Sequence, residues 1–363
     1  MLNSNLYNAC EKMKFNKIID EDLSQIIEEN DGLKDLYNQT VMVTGASGLI
    51  GSYFVNTLIK LNEDYNANIK ILPLMRNLTK LSNEIIDKSY VNPVVQDITQ
   101  PINYDGDVDY IIHAASPASP PLMREKPVET NLANTVGTAN ALTFAKEHNT
   151  KKFLFISSRE VYGQNISDEK YFKEEDIGLI NQLIPRNSYA ESKKAAENMC
   201  LGFKEEYGLD TKIVRLGQTF GPGMNINGGM VHTEFLKMLL NDEDIVLLSD
   251  GSSLRTYTYI SDAVSAMFKI ILESEDIVYN AVNNENEVSI KELAEIIVNL
   301  CPEKESKLVF DIEEEKEGYD YKTFKFCLIS SKKITDELGW NPKYSVEEGF
   351  KRTINYLKSD VIH

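Results

Sequence analysis

From residue 40 onward the chain alternates between short apolar runs and stretches with helical periodicity. Thr40 to Val43 is β-rich and leads at once into Thr44-Gly-Ala-Ser-Gly-Leu-Ile-Gly51 and a helical stretch through Leu61. Further apolar runs lie at Ile69 to Met75, Val91 to Val95, Tyr110 to His113, Lys152 to Ser157 and Thr211 to Leu216. Helical stretches at 128–148 and 189–207 flank the fifth run. The runs lack polar alternation, so they predict strands of a parallel sheet buried on both faces. The fold class is therefore α/β, with a doubly wound parallel sheet over 40–217.

Either side of that core the texture differs. Residues 1–39 predict a helical extension, in which Asp20 caps a helix carrying Leu23, Ile26 and Ile27 on one face and Glu28 and Glu29 opposite. Packing, against a sheet edge or a partner subunit, is its expected role. Beyond 217, Gly221-Pro222-Gly223 and Gly228-Gly229 mark loops. A helix is expected from Ser261 or Asp262, and a strand at 278–282 is expected to return to the main sheet. A helix at 289–300, an acidic loop at 311–320 and a helix near 346–357 complete a smaller mixed α/β lobe over 218–363.

A length of 363 residues accommodates about two domains of ~150 residues. With 42% hydrophobic and 26% charged residues the chain is globular in composition, which excludes wholesale disorder. Lys and Arg number 38 against 56 Asp and Glu, and the net charge of −18 argues against nucleic acid or an anionic membrane as partner. Any anionic ligand must then be held by a local cationic or helix-terminus site. Cys10, Cys200, Cys301 and Cys327 are too scattered for a disulfide framework or a metal motif and read as reduced thiols. No leader and no run of ~18 apolar residues is visible, so a cytoplasmic protein without a membrane span is expected.

Gly45, Gly48 and Gly51 supply the anion site that the net charge demands. Between a strand and a helix, the first glycine permits a tight turn, the second lets a pyrophosphate approach the backbone, and the third allows close helix packing. The helix N-terminus adds amide donors and partial positive charge. A dinucleotide is thus the expected cofactor. After the second strand comes Met75-Arg76-Asn77 with Lys80 beyond, and no carboxylate to exclude a 2′-phosphate. That favours NADP(H), with NAD(H) remaining open. Asp97 is placed to meet the adenine amino group.

Tyr189 and Lys193 stand four apart at the start of a helix, on one face. An ammonium beside a phenol lowers its pKa towards usefulness as a base, and Ser158, at the end of the fifth strand, can bond the same substrate oxygen. This set suits hydride transfer at a carbinol or carbonyl carbon.

T-G-A-S-G-L-I-G, His113-Ala-Ala-Ser116, Asn134 in N-T-V-G-T, Ser157-Ser-Arg-Glu-Val-Tyr-Gly163 and Tyr189-Ala-Glu-Ser-Lys193 together resemble the extended short-chain dehydrogenase/reductase family, over about 40–357. Ala115-Ser-Pro-Ala-Ser-Pro-Pro121 and Arg255 before Tyr259-Ile-Ser-Asp262 are most similar to its UDP-glucuronate decarboxylases, then to its sugar-nucleotide 4,6-dehydratases. The resemblance implies a Rossmann domain for the cofactor and a C-terminal lobe for a nucleotide diphosphate sugar, UDP- or CDP-linked. It also implies a homodimer through 128–148 and 189–207. Ser158, Tyr189, Lys193 and Glu160 take the catalytic positions. Ser47, Leu49, Ile50, Ile98, Ala114, Ala115, Ser116 and Asn134 join the glycines around the cofactor. Ser116, Arg159, Gln218, Val231 and Arg255 face the substrate, with Arg255 gripping the diphosphate.

The departures carry weight. Arg159 stands where the dehydratases have an aspartate acid and the decarboxylases a serine, and Gln218 replaces the asparagine of the N-x-Y/F-G-P turn. With Arg76, they favour an NADPH-dependent reductase of a nucleotide-linked keto sugar. The alternatives are a decarboxylase-like, dehydratase-like or epimerase-like enzyme without net redox, and a catalytically silent binding protein.

Overall fold

Strands Thr40–Thr44, Lys70–Met75, Val94–Val95, Tyr110–His113, Lys152–Ser158, Asp210–Leu216 and Val278–Ala281 pair in parallel to form one seven-stranded sheet. The computed structural model describes residues 16–117, 119–166, 169–312 and 328–361. Across the sheet the order is 278–281, 210–216, 152–158, 110–113, 40–44, 70–75, 94–95, so the winding reverses between Thr40–Thr44 and Tyr110–His113. Such a reversal opens a crevice at the carboxyl ends of the strands. Both candidate loops, after Thr44 and after His113, emerge there. This is the Rossmann-type doubly wound sheet.

Alternation within each strand sorts side chains between the two faces. Val41 and Val43 pack with Phe54, Leu58 and Phe268 on one side, while Met42, Ile111, Phe153 and Phe155 pack with Ala141, Leu142 and Cys200 on the other. The third strand is shorter than its apolar run suggests. Pro93 has no amide to give the ladder, so only Val94–Val95 pairs with Lys70–Met75, and Val91 forms an isolated bridge to Ile71.

The smaller lobe is built on Gln218–Phe220, Leu254–Tyr259 and Glu287–Ser289, with helices Val231–Leu240 and Ile290–Asn299 against a two-stranded pair, Ile245–Leu247 and Leu308–Phe310. Phe220, Tyr257 and Phe350 form its aromatic centre. Helices Ile260–Glu273 and Val346–Val361 match their expected positions to within a few residues. Of the expected acidic loop, 313–320 lie outside the described residues.

The extension helix runs Lys17–Glu28 and begins a turn earlier than its Leu23/Ile26 stripe implied. Asn16, not Asp20, caps it, accepting from the Ile18 and Ile19 amides. Its apolar face packs on helices Leu49–Tyr65 and Ile260–Glu273. Among the described residues, no helix is long and apolar enough to cross a membrane.

Candidate active site

The three glycines do different work. Gly45 has φ +66°, and a Cβ there would lie 2.8 Å from the Ala114 carbonyl and the Ala115 amide. At Gly51 a Cβ would meet the Gly45 oxygen at 2.4 Å, so only glycine lets the helix start against the loop. Gly48 is exposed, and a Cβ would meet nothing nearer than the Gly45 oxygen at 3.3 Å. It is the N-cap of helix Leu49–Tyr65 with no capping side chain, which leaves bare backbone facing the crevice. A pyrophosphate fits that cradle.

The second-strand end is less decided than its sequence. Arg76 is exposed and shares a recess with Ser47, Asn77 and Lys80. Asp97 lies near Arg76, and bonds from the Thr99 amide and hydroxyl, both 2.9 Å, hold its carboxyl below the usual range, with a smaller contribution from Arg76. The carboxylate expected to meet an adenine therefore caps its own turn. Ile98, also expected at the cofactor, is buried against Gly137 and gives its carbonyl to Asn140. Its side chain is part of the core.

Beside the crevice, the Ala115 amide donates to Thr44 Oγ1 (3.2 Å), which is 2.8 Å from His113 Nδ1. Burial holds His113 neutral, with a pKa of about 3. Ser116 Oγ donates to Asn134 Oδ1 (2.7 Å), Asn134 Nδ2 to Ser192 Oγ (2.9 Å), and Ser192 Oγ to the Tyr189 carbonyl (3.0 Å). Asn134 is buried and, through Ser192, reaches the helix turn that carries Tyr189.

Strand Lys152–Ser158 ends at Ser158, whose hydroxyl bonds the Tyr189 phenol and accepts from the Glu160 amide (3.3 Å). Burial pushes the Tyr189 phenol well above its ordinary value, aided by Glu160 and opposed by Ser158 and Arg186. The expected partner, Lys193, has its ammonium on a different acceptor. Its Nζ donates to the Ile156 carbonyl (2.7 Å), lies over the Phe155 ring and stands 5.9 Å from the Tyr189 ring centre. Burial pulls Lys193 down to about 7.

Arg186 is the cation beside Tyr189 instead, and sequence reasoning missed it. It clamps Glu160 through two bonds, 2.5 and 3.0 Å. Its signal is local: Pro185-Arg186 initiates the turn that leads into the helix carrying Tyr189.

Across the cleft, Gly217 packs directly on Thr256 and Val282, drawing strand Leu254–Tyr259 onto the sheet end. Gln218 is half-buried and in register with Tyr257. Arg255 is buried and donates to the Leu254 carbonyl (2.7 Å). Burial, and the neighbouring Arg159, pull it down to about 9. Arg159 is itself buried. The cleft runs from Ser47–Leu49 past Ser119 and Thr219 to Met230, His232 and Thr233. Val231, expected on the substrate, is 42% exposed at the first residue of its helix, and its neighbours on both sides line the cleft in its place.

A glycine cradle at the switch point of a parallel sheet, with Ser158, Tyr189 and Lys193 around the strand end two places along, defines a Rossmann-type dinucleotide-binding enzyme. More narrowly, the chain belongs to the NAD dependent epimerase/dehydratase family, whose model matches residues 41–283. It is 31% identical over 318 residues to UDP-glucuronic acid decarboxylase 6 of Arabidopsis thaliana, covering 86% of this chain and 87% of the relative. A UDP-N-acetylglucosamine 4-epimerase of Methanobrevibacter ruminantium, in complex with UDP-N-acetylmuramic acid, superposes with a TM-score of 0.73 at 26% identity, over 89% of this chain and 99% of that one. The UDP-glucuronic acid 4-epimerase of Bacillus cereus, solved with UDP-glucuronic acid and NAD, has the same fold (TM-score 0.70, 21% identity, 88% and 99% covered).

Proposed function

We propose that this enzyme oxidises C4 of a UDP-linked hexose transiently and restores it in the same turnover, with NAD and no net redox. This replaces the reductase that the sequence favoured. The carrying observation is the Ser158–Tyr189 bond set beside the Glu160–Arg186 clamp, two strands along the sheet from the Gly48 cradle. The similarity to UDP-glucuronic acid decarboxylases and 4-epimerases supports the same reading.

The Gly45–Gly51 loop would hold NAD, which would supply a reversible hydride acceptor for C4. The chain's own residues do the proton work. Ser158 and Tyr189 hold the C4 hydroxyl, and Tyr189, in its phenolate form, takes the proton as the carbonyl forms. Glu160, clamped by Arg186, is held in place beside the Tyr189 phenol. Arg255 supplies a guanidinium for the diphosphate. Water loss, the dehydratase outcome, has no acid here, because Arg159 cannot donate a proton near neutral pH.

The test offers UDP-glucuronate with NAD and follows product and 340 nm absorbance together. Product without net NADH supports the proposal, whereas stoichiometric consumption of NADPH by a UDP-4-keto sugar restores the reductase. Tyr189→Phe is expected to cut turnover by ~10²–10⁴-fold with cofactor affinity retained, and near-wild-type turnover would remove Tyr189 from the chemistry.

The recess of Ser47, Arg76, Asn77 and Lys80 favours a second reading of the cofactor, NADP(H). Tighter NADP(H) than NAD(H), weakened selectively by Arg76→Ala, would support it. Equal loss of both would return the choice to NAD, in keeping with Asp97 beside Arg76. A homodimer is proposed through the packed helices Pro127–Glu147 and Ser188–Tyr207, where Val128, Leu132 and Val136 form an exposed stripe. Sedimentation as a monomer at micromolar concentration would exclude it.

A further inference from the structure

We propose that Glu197 and Arg215 are positioning residues for the reaction. Their buried pair draws the strand end carrying Ser158, the turn carrying Glu160 and the helix carrying Tyr189 and Lys193 onto one carboxylate, and so sets turnover without serving binding. The inference rests on the transient-oxidation reading and deepens it, naming what holds the reacting groups in line.

Helix Ser188–Tyr207 presents Tyr189, Lys193 and Glu197 four residues apart, so the three share one face. Ser157 and Arg215 are register partners on neighbouring strands, one residue short of the ends at Ser158 and Leu216. Both reach Glu197. Ser157 Oγ donates to Oε1 at 2.5 Å, while Arg215 donates from Nε to both oxygens (3.0 and 3.2 Å) and from Nη2 to Oε2 (2.7 Å). Arg215 Nη1 also donates to the Tyr162 hydroxyl (2.7 Å), and the guanidinium lies over the Tyr162 ring at 4.7 Å. Tyr162 closes the turn Arg159–Tyr162, which carries Glu160 and begins at the Ser158 cap. Its hydroxyl donates in turn to Asn280 Oδ1 (2.8 Å), on the next strand of the sheet. The Glu197 carboxylate also favours the charged form of Lys193, against its burial.

Ser157 and Glu197 are 3% and 6% exposed. The attraction within a pair so buried does little more than offset its desolvation, and apolar side chains of the same volume would join strand and helix as firmly. What they would not fix is orientation. Bonds to two strands fix where the helix sits along the strand end, and hence where the Tyr189 phenol meets the Ser158 hydroxyl. Proton transfer at C4 needs both groups within hydrogen-bond reach of one oxygen, and a misplacement of ~1 Å can cost ~10²-fold in rate.

The experiment measures consumption of UDP-glucuronate by the NAD-loaded wild type and variants, with urea unfolding of each. Ser157→Ala removes one bond to Glu197 and no charge. It is expected to keep KM and NAD affinity within about twofold and to lower kcat at least about tenfold. Glu197→Leu/Arg215→Met replaces the pair by apolar side chains. It is expected to unfold near the wild-type midpoint, yet to lose kcat at least about a hundredfold. In a Tyr189→Phe background, Ser157→Ala is expected to cost less than about threefold more, because the alignment it disturbs no longer serves a proton transfer. Wild-type kcat in Ser157→Ala, or in a stable apolar pair, would overturn this inference and leave the transient oxidation standing. So would a further loss of about tenfold on top of Tyr189→Phe. If the apolar pair does not fold, Ser157→Ala and its coupling to Tyr189→Phe decide the matter. A wild-type enzyme that leaves UDP-glucuronate unconverted overturns both readings.

Discussion

Lys193 has left the aqueous world in which lysine is a reliable cation. It is 3% exposed, bonded to a backbone carbonyl, and pulled down to about 7, whereas an unfolded lysine stays protonated up to about 10.5. Between those values the unfolded chain binds a proton that the folded chain does not, so stability rises with pH by up to ~1.4 kcal/mol per unit. Below pH 7 both states are protonated and the full burial penalty is present. Lys193→Met removes this dependence. The variant should gain stability over the wild type below pH 7, and lose that advantage progressively towards pH 10.5. Urea denaturation of both proteins at pH 6, 8 and 9.5 measures it. A difference that is flat with pH would mean that Lys193 keeps its proton in the fold. The sequence displayed the Tyr189/Lys193 spacing, yet not which group each would find. That depended on the Ile156 carbonyl and on Arg186, neither of them on the shared helix face.

Among elements, the glycine loop was the most legible because every constraint on it is local. Strand, loop and helix are contiguous, and the close approaches involve residues within six of one another, apart from Ala114 and Ala115. The strands were legible for the same reason, each being a short apolar run, and the one that shrank contains Pro93. Contacts between elements were not legible: Glu160 meets Arg186 across 26 residues, and the charge of Arg159 bears on Arg255 from far off in the sequence. The two glycines of the loop should therefore separate experimentally. Gly48→Ala sets its methyl 3.3 Å from the Gly45 oxygen, a tight contact that a shift of a few tenths of an ångström relieves, and should fold with far less loss than Gly51→Ala. The methyl nonetheless enters the path of the pyrophosphate and should weaken NAD binding at least about tenfold. Gly51→Ala drives a methyl into the Gly45 carbonyl at 2.4 Å and should destabilise the domain by about 1–3 kcal/mol. Thermal denaturation with and without NAD distinguishes them. Equal destabilisation of the two apo-proteins would refute the division of roles.

For the whole molecule, the question is what fixes the extension helix to both lobes, since its sequence shows only an amphipathic stripe. Asp22, on its buried face and fully inaccessible, accepts from the Tyr53 hydroxyl (2.7 Å) of the cofactor-side helix and from the Tyr259 hydroxyl (3.0 Å) of the smaller lobe. Arg352, from the last helix, donates to the same carboxylate at 2.7 Å and to the Ile18 carbonyl at 3.1 Å. One carboxylate thus joins four elements that are remote in sequence. A buried charge is stable only with such partners, and removing one side of a buried pair typically costs about 3–5 kcal/mol. Arg352 keeps Glu21 (2.9 Å) and the Ile18 carbonyl, so Asp22→Asn should fall at the lower end, about 3 kcal/mol. Asp22→Ala should cost more, because two phenol hydroxyls also lose their acceptor. Arg352→Met, which strands the carboxylate instead, should resemble Asp22→Ala, and the Asp22→Leu/Arg352→Met pair should recover part of the loss. Equilibrium urea unfolding of the four variants reads these costs. Wild-type midpoints for both single charge removals would show that apolar packing of Ile19, Leu23 and Ile26 holds the helix without the carboxylate.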